Sequence, residues 1–576
     1  MATALVTQIA YAVQTLFDPA GTAGRLVDLG KLANYGLLTS FTPAALFTTG
    51  VNGAWYDPSD FSTMFQDAAG TTPVTAVGQP VGLMLDKSKG LVLGPELVTN
   101  GDFSQGATGW TLTSGWSVTG GSLVLVSTGT SFPQAFQSVT SGVSGKWVTI
   151  SGQYSGLTSG KTARIALYSG TSDVVGQTLS ASSGNFSMRA YCPTGVSYTL
   201  ICLIPSATSV GDTVAFDNIS VRELPGNHAF NPSGNSANFP VLSARYNLLT
   251  YSEDFSNAVW SLSGTASKAS SKEVNLPATN DRILNAATYV SQVNESITAS
   301  IGLTGSGTIT IGVDSSGGVY ESGAQQIALS STPTIFTVSK TFVQTRQVQI
   351  RFFIIKAAGD TATSVTLTRD ADLRVANDAL NQPAYQRVNT ASDYDTVGFN
   401  PYLAFNGVNQ WLQTNSIDFT YGDKMFVAAG VRKLSDAAVG VAVELSAAAG
   451  VYPGIFIAAP KTSSGSDYGF RSSGSTAEDA TSSSSYAAPI TNIVSGIGNI
   501  GAPSSILRIN GTQSASNTST QGTGNYGNYP MYIGARAGTS LWFNGRLYGL
   551  VVAGKQASAG EIASTESWLN QKTGAY

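Results

Sequence analysis

The chain has 576 residues, of which 42% are hydrophobic and only 11% charged, with a formal net charge of −4. That length exceeds a single ordinary core and predicts three or four domains, while so few charges leave a surface built from Ser, Thr, Asn, Gln and Gly. An acidic balance without clustered Lys or Arg excludes phosphate-directed nucleic-acid binding, and no run of about 18 apolar residues is present to span a membrane. Residues 1–20 lack a basic start followed by an apolar run, so no signal peptide is expected.

Leu5, Ile9, Val13 and Phe17 recur every four residues and predict a short amphipathic helix over 1–17, ended by Asp18-Pro19. Residues 1–52 are read as an N-terminal, partly helical attachment segment. Residues 53–94 form a compact connector with little core of its own. Its series WYDPSD, MFQD, TPVT, GQPVG and LDKS resembles a module of tailed-phage and prophage virion proteins, which there precedes β-rich domains.

From Pro95 onward, short runs such as LVLVS, WVTISGQY, RIALYSG and VAFDNISVRE alternate with Gly, Ser and Asn turns. This is the pattern of β-sandwich strands. The opening ELVTNGDFSQGATGWTLTSGWSV and closing VAFDNISVREL of residues 95–224 resemble the ends of jelly-roll carbohydrate-binding modules, whose first and last strands lie side by side. After a linker at 225–245 the opening recurs. Glu96-Leu97-Val98-Thr99 aligns with Asn247-Leu248-Leu249-Thr250, Asp102-Phe103-Ser104 with Asp254-Phe255-Ser256, and Trp110-Thr111-Leu112 with Trp260-Ser261-Leu262. Residues 246–390 are therefore a second jelly roll, an internal repeat at domain scale. Its closing AYQRVNTASDYD resembles the segment that ends such modules in phage tail proteins. Residues 398–576, with LAFNGVNQWL, MFVAAGVRK, ILRINGT and WFNGRLYGLVVAGK, resemble a laminin-G or concanavalin-like sandwich. Ser558 and Glu561 form a capping box for a terminal helix whose Ile562, Trp568 and Leu569 face that sandwich. The fold class is thus mainly β: tandem β-sandwich (jelly-roll) domains behind a small, partly helical N-terminal attachment region.

Proteins that bind sugars offer exposed Trp or Tyr to the C–H faces of the ring and Asn, Asp or Gln to its hydroxyls. Trp116, Tyr526 and Tyr529 are the glycan-binding candidates, the two tyrosines because they lie in the Gly- and Asn-rich loop GTGNYGNYPMY. Trp147 and Tyr154 are further aromatic candidates. Trp110 and Trp260 occupy equivalent repeat positions and are read as core, and Trp411 and Trp542 as structural. The jelly-roll resemblance implies a structural calcium where the domain ends meet, with Asn100, Asp102 and Asp217 as ligands; the same carboxylates also suit simple turn hydrogen bonds. Cys192 and Cys202 read either as two free core thiols or as one hairpin bridge. His228, the single histidine, lies in the linker and reads as a solvated loop residue.

No nucleophile elbow, HExxH, Walker loop or Rossmann fingerprint occurs. The acids Asp370, Asp372, Asp393 and Asp395 are scattered through strand ends and linkers rather than set as the carboxylate pair of a glycosidase. The combined resemblances imply a non-enzymatic phage virion protein of the tail or head fibre type. It would be assembled in the host cytoplasm and exposed on the particle surface. Other virion proteins would be met through residues 1–94, copies would associate, as a trimer by analogy with other fibres, and bacterial surface polysaccharide would be the external partner. A purely structural decoration, collar or minor tail protein is the alternative, and a glycan depolymerase a third reading.

Overall fold

The computed structural model describes residues 41–375 and 401–576, apart from 77, 131, 204–208, 245–246, 250, 292–294, 317–319, 344–345, 452, 484, 489 and 574. The helix expected over 1–17, most of the 1–52 segment, the segment 384–395 and the acids Asp393 and Asp395 lie outside these residues. The described chain is mainly β, in antiparallel sheets that pair into sandwiches.

Alternation builds the strands. In Ser122–Val126, Leu123 and Leu125 are fully buried and their neighbours are not, as period-two patterning requires. In Thr213–Glu223 the buried set runs Val214 and Phe216, then Ile219 and Val221. The change of phase is absorbed by a bulge between Asp217 and Ser220, where Asn218 takes a φ of 51°.

The first jelly roll has one sheet in the order Asp173–Leu179, Ala163–Tyr168, Thr199–Leu203, Gln134–Ser138, Thr111–Leu112. The other runs Gly184–Cys192, Lys146–Ser155, Thr213–Glu223, Ser122–Val126, Trp116–Thr119. The second jelly roll repeats both orders. Ser322–Leu329, Gly307–Ser316, Arg346–Ile355, Arg282–Ser291 and Trp260–Ser263 form one sheet; Thr334–Phe342, Glu295–Gly305, Ser364–Val375, Glu273–Asn275 and Ser267–Lys268 form the other. Trp110 and Trp260 each pack on the phenylalanine of the DFS motif, Phe103 and Phe255, at 5.3 and 4.9 Å. The repeated opening is thus a core motif. Cys192 and Cys202 are both free and buried, in different sheets, and burial pushes the Cys192 thiol up to about 12.

The third sandwich is assembled from distant pieces. Gly53–Tyr56 pairs with Asn544–Ala553, and Val241–Ser243 pairs with Tyr402–Asn406. In the opposite sheet Met64–Phe65, Leu83–Met84 and Ala229–Phe230 lead onto Leu412–Phe419. Residues 53–84, expected to form a separate connector, therefore supply strands to the same sheets as residues 402–553, and their core residues Tyr56, Met64 and Met84 join one cluster with Leu412, Val427 and Leu550. A segment of this length with few apolar groups completes its core by joining another sheet. The helix Ala559–Thr573 lies on the sandwich, capped as expected: Ser558 N–H donates to Glu561 at 2.8 Å and Glu561 N–H to Ser558 Oγ at 3.3 Å.

Both jelly rolls leave this sandwich and return to it. Asp86, before the first, accepts from Asn227 N–H, after it, at 2.8 Å. Ser243, before the second, is the ladder partner of Tyr402, after it.

Candidate functional site

His228 marks the joint between the first jelly roll and the third sandwich. It is fully buried, not solvated as its linker position implies. Its Nδ1 accepts from Asp86 N–H at 2.9 Å, its Nε2 lies 3.1 Å from Leu224 O, and its ring meets the edge of Trp147 at 5.3 Å. Burial, with Arg189 nearby, lowers its pKa from 6.5 to about 4, so the ring is neutral and Nε2 donates to the carbonyl. Trp147 also packs edge-on against Phe230, and the Arg189 guanidinium covers Phe65 at 4.1 Å while donating to Gly70 O at 2.6 Å. Trp147 is thus held in a domain interface and does not serve as a free platform.

The candidate residues separate in the same way. Trp116 is buried, 6.1 Å from Phe216 within the first core. It fails as a glycan platform because the alternation of Trp116–Thr119 turns it inward. Tyr526 is also fully buried, its hydroxyl 2.7 Å from Ser472 Oγ, and burial raises its pKa well above 10. The glycine-rich loop folds back over the sandwich end, where Tyr526 N–H donates to Gly422 O at 3.3 Å. Tyr529 is half-buried in Gly527–Ile533, opposite Ile417, against the same core. Neither tyrosine is the exposed platform that its loop composition implies.

Asn100, Asp102 and Asp217 do come near one another in the chain's path, since Ile219 N–H donates to Gly101 O at 2.9 Å. Each, however, serves its own turn. Asn100 donates to Gly106 O at 2.8 Å and accepts from Gln105 N–H at 3.0 Å, Asp102 accepts from Ser104, and Asp217 accepts from Asn218 N–H at 2.7 Å. Among the described residues no three His, Cys, Asp or Glu side chains gather as a metal site.

The outward faces of the two repeats carry features that motif reading passes over. In the first, one ladder row crosses five strands as Thr111, Phe136, Ile201, Ala166 and Gly176. Phe136 and Ile201 alternate with the core residues Ala135 and Cys202 and are half-buried on the far side. Two large apolar groups thus stand beside two small ones, a shallow step. Arg164 lies over Gly176, where an added Cβ would meet its Nη2 at 2.4 Å. Its Nε donates to Asp173 at 3.0 Å and its Nη1 to Thr178 at 3.1 Å. Phe132, 58% exposed, stands near one end of the Gln134–Ser138 strand.

The equivalent row of the second repeat is Ser261, Leu284, Phe353, Gly312 and Ala324. Gly312 lets the Phe353 ring lie across the neighbouring strand, since a Cβ there would sit 2.2 Å from it. The Arg282 guanidinium stacks on Phe353 at 4.1 Å. Beside them the fully buried Asp314 accepts from Arg282 Nη2 at 2.7 Å and from Arg351 Nε and Nη2 at 2.7 and 3.0 Å, and Tyr320, 61% exposed, donates to it at 3.4 Å. These charge-assisted bonds fix two planar guanidinium groups on an outward face. Sequence reading misses them because strand alternation alone does not say which sheet faces its partner; the ladder from Ser261 to Ala324 supplies that.

No family model matches the chain, and no curated protein does. Among solved structures, the tandem CBM22-1–CBM22-2 domain of Paenibacillus barcinonensis Xyn10C is 13% identical, covering 49% of this chain and 98% of its own at a TM-score of 0.25. The CBM40 of the Ruminococcus gnavus IT-sialidase, bound to α2,3-sialyllactose, is 12% identical over 27% of this chain and 97% of its own, with a TM-score of 0.22. The SAP-like pentraxin of Limulus polyphemus is 9% identical over 28% of this chain and 78% of its own, at 0.24.

Proposed function

We propose that this chain is a non-catalytic glycan-binding adhesin, displayed on a tailed-phage particle as a fibre-type virion protein. The observation that carries the glycan reading is the outward row of the first repeat, from Thr111 to Gly176, in which an apolar step is flanked by a carboxylate-anchored arginine; the same row of the second repeat carries Phe353 beneath Arg282. A pyranose offers one apolar face and a rim of hydroxyls, and this surface offers Phe136 and Ile201 to the first and guanidinium donors to the second. Such a face, multiplied by copies on a particle, turns weak single contacts into firm attachment. The phage assignment rests on the WYDPSD to LDKS series and is independent of the faces. In this reading the particle is met through residues 1–94, of which 53–84 also supply strands to the third sandwich.

The test is a glycan array bearing bacterial surface polysaccharides, probed with the full chain and with the double variant Phe136→Ala, Phe353→Ala. Binding by the wild type and its loss in a folded double variant is the expected result. A wild-type chain that retains nothing on the array overturns adhesion and leaves the structural-decoration reading.

A further inference from the structure

The outward faces of the two repeats share a strand order but differ in charge. On the first, Arg164 meets a single carboxylate, Asp173, with Nε at 3.0 Å, and the pair is neutral. On the second, Asp314 lies between two guanidinium groups, 2.7 Å from Arg282 Nη2 and 2.7 Å from Arg351 Nε, so one positive charge is left over. Among the described residues no other acid pairs with either arginine. Glu321 pairs with Lys340 at 3.3 Å, Asp281 accepts from the N–H groups of Thr265 and Ala278, and Asp360 accepts from Ala357 N–H and from Gln326.

The surplus charge is accessible. Asp314 is wholly buried, whereas the side chains of Arg282 and Arg351 keep 18% and 20% of their area exposed. Their Nη1 groups donate to no acceptor among the described residues and, unlike Arg282 Nε, are open to solvent. Both forks are also fixed. Arg282 rests over the Phe353 ring at 4.1 Å, and Arg351 is the direct ladder partner of Asp314, so neither swings away without losing a charge-assisted bond. Tyr320, 61% exposed, stands beside them with its hydroxyl 3.4 Å from Asp314. A structural ion pair needs neither spare outward N–H groups nor an exposed aromatic ring at its side.

We infer that the second jelly-roll face binds acidic glycans, taking a uronic acid by its carboxylate on Arg282 and Arg351 with the sugar ring against Tyr320, while the first face takes neutral sugars. This rests on the adhesin reading and assigns its ligand class. A guanidinium fork matches the two oxygens of a carboxylate, a sugar ring offers its C–H face to an aromatic side chain, and uncompensated positive charge draws an anionic polymer toward the face.

The experiment is calorimetry and saturation-transfer NMR on the full chain with three probes: an oligogalacturonate, the same oligomer as its neutral methyl ester, and inorganic sulfate. Three variants accompany the wild type, each checked by thermal melting. Arg351→Lys keeps a charge beside Asp314 and removes the fork, Tyr320→Ala removes the exposed ring, and Phe136→Ala alters only the first face. The acid should bind about tenfold more tightly than the ester, as one charged hydrogen bond implies, and that preference should shrink as salt is raised. Arg351→Lys should abolish the preference, Tyr320→Ala should weaken the acid about tenfold, and Phe136→Ala should leave both effects unchanged. Equal binding of acid and ester, a preference untouched by both Arg351→Lys and Tyr320→Ala, or displacement of the acid by equimolar sulfate overturns the inference. Equal binding of the two oligomers that is lost in Phe136→Ala leaves the adhesin reading standing, whereas a chain that binds neither oligomer and nothing on the glycan array loses both.

Discussion

Lys572 and Asp57 stand 515 positions apart and form a buried ion pair at 2.7 Å, with Ser59 Oγ at 2.5 Å from the same ammonium. Nearby, Trp55 and Trp568 meet edge to face at 6.0 Å. The helix that ends the chain is thus fastened to a strand near its described start. Lys572→Ala leaves Asp57 with its more distant partner, Lys87 at 3.8 Å, and should lower sandwich stability by roughly 3 kcal/mol, the usual cost of breaking a buried pair. Denaturant unfolding monitored by tryptophan fluorescence checks this; an unchanged midpoint would mean that the pair contributes nothing.

His228 gives the domain joint a pH dependence. The folded ring has a pKa of about 4 against 6.5 for the free side chain, so between those values the unfolded chain binds more protons and stability falls with acidification. The loss begins near pH 6.5 and approaches about 3 kcal/mol by pH 4. Two other charged groups face the ring. Asp86 is pushed up by burial, which works in the opposite sense, and Arg189 stays cationic. The difference between wild type and His228→Gln therefore isolates the histidine. Melting temperatures at pH 7.5 and 5.0 should fall further for the wild type than for the variant; equal falls would remove His228 from the account.

Trp116 and Phe136 separate stability from binding within one domain. Trp116→Ala empties a core position and should cost about 3–5 kcal/mol, while Phe136→Ala, on the outward face, should cost less than about 1 kcal/mol and abolish glycan retention by that repeat. Paired melting and array measurements decide it. A stable Trp116→Ala protein with lost binding would reverse the two assignments.

Much of this architecture is legible from the residues. The repeat was carried by Trp110 and Trp260 and by the DFS motifs, because the contacts they make lie within about ten residues and survive as local pattern. The capping box at Ser558 is local in the same sense. What escaped reading is non-local. Nothing in GAWY announces that it pairs with residues 550–553, and nothing in the linker shows that His228 is sealed beneath Trp147. Tyr526 misled for a related reason: glycine and asparagine around it report a turn, whereas burial depends on what the turn folds over.

Asp314 should behave as the keystone of the second face. It has no exposure and holds both Arg282 and Arg351, so Asp314→Asn leaves two guanidinium groups with weakened anchoring. A loss of roughly 2–4 kcal/mol is expected in the second jelly roll, with glycan binding by the first face preserved. Unfolding followed by hydrogen exchange, which resolves the two repeats separately, would show protection lost in residues 282–355 alone; loss spread evenly over both jelly rolls would contradict the assignment.

The adjacency of Ser243 and Tyr402 permits a stronger test of how the chain is built. Strands Val241–Ser243 and Tyr402–Asn406 are antiparallel ladder partners, so their facing ends are a few ångströms apart and a short Gly-Ser turn suffices to join them. Replacing residues 245–400 by such a turn should leave the third sandwich and the first jelly roll folded, since the second jelly roll has its own core centred on Phe255, Trp260 and Phe352 and contributes no strand to either. The shortened chain should melt within a few degrees of the corresponding transition of the full one and keep the binding of the first face. Failure of the sandwich to fold after this excision would show that the inserted domain is part of the scaffold rather than cargo carried on one of its loops.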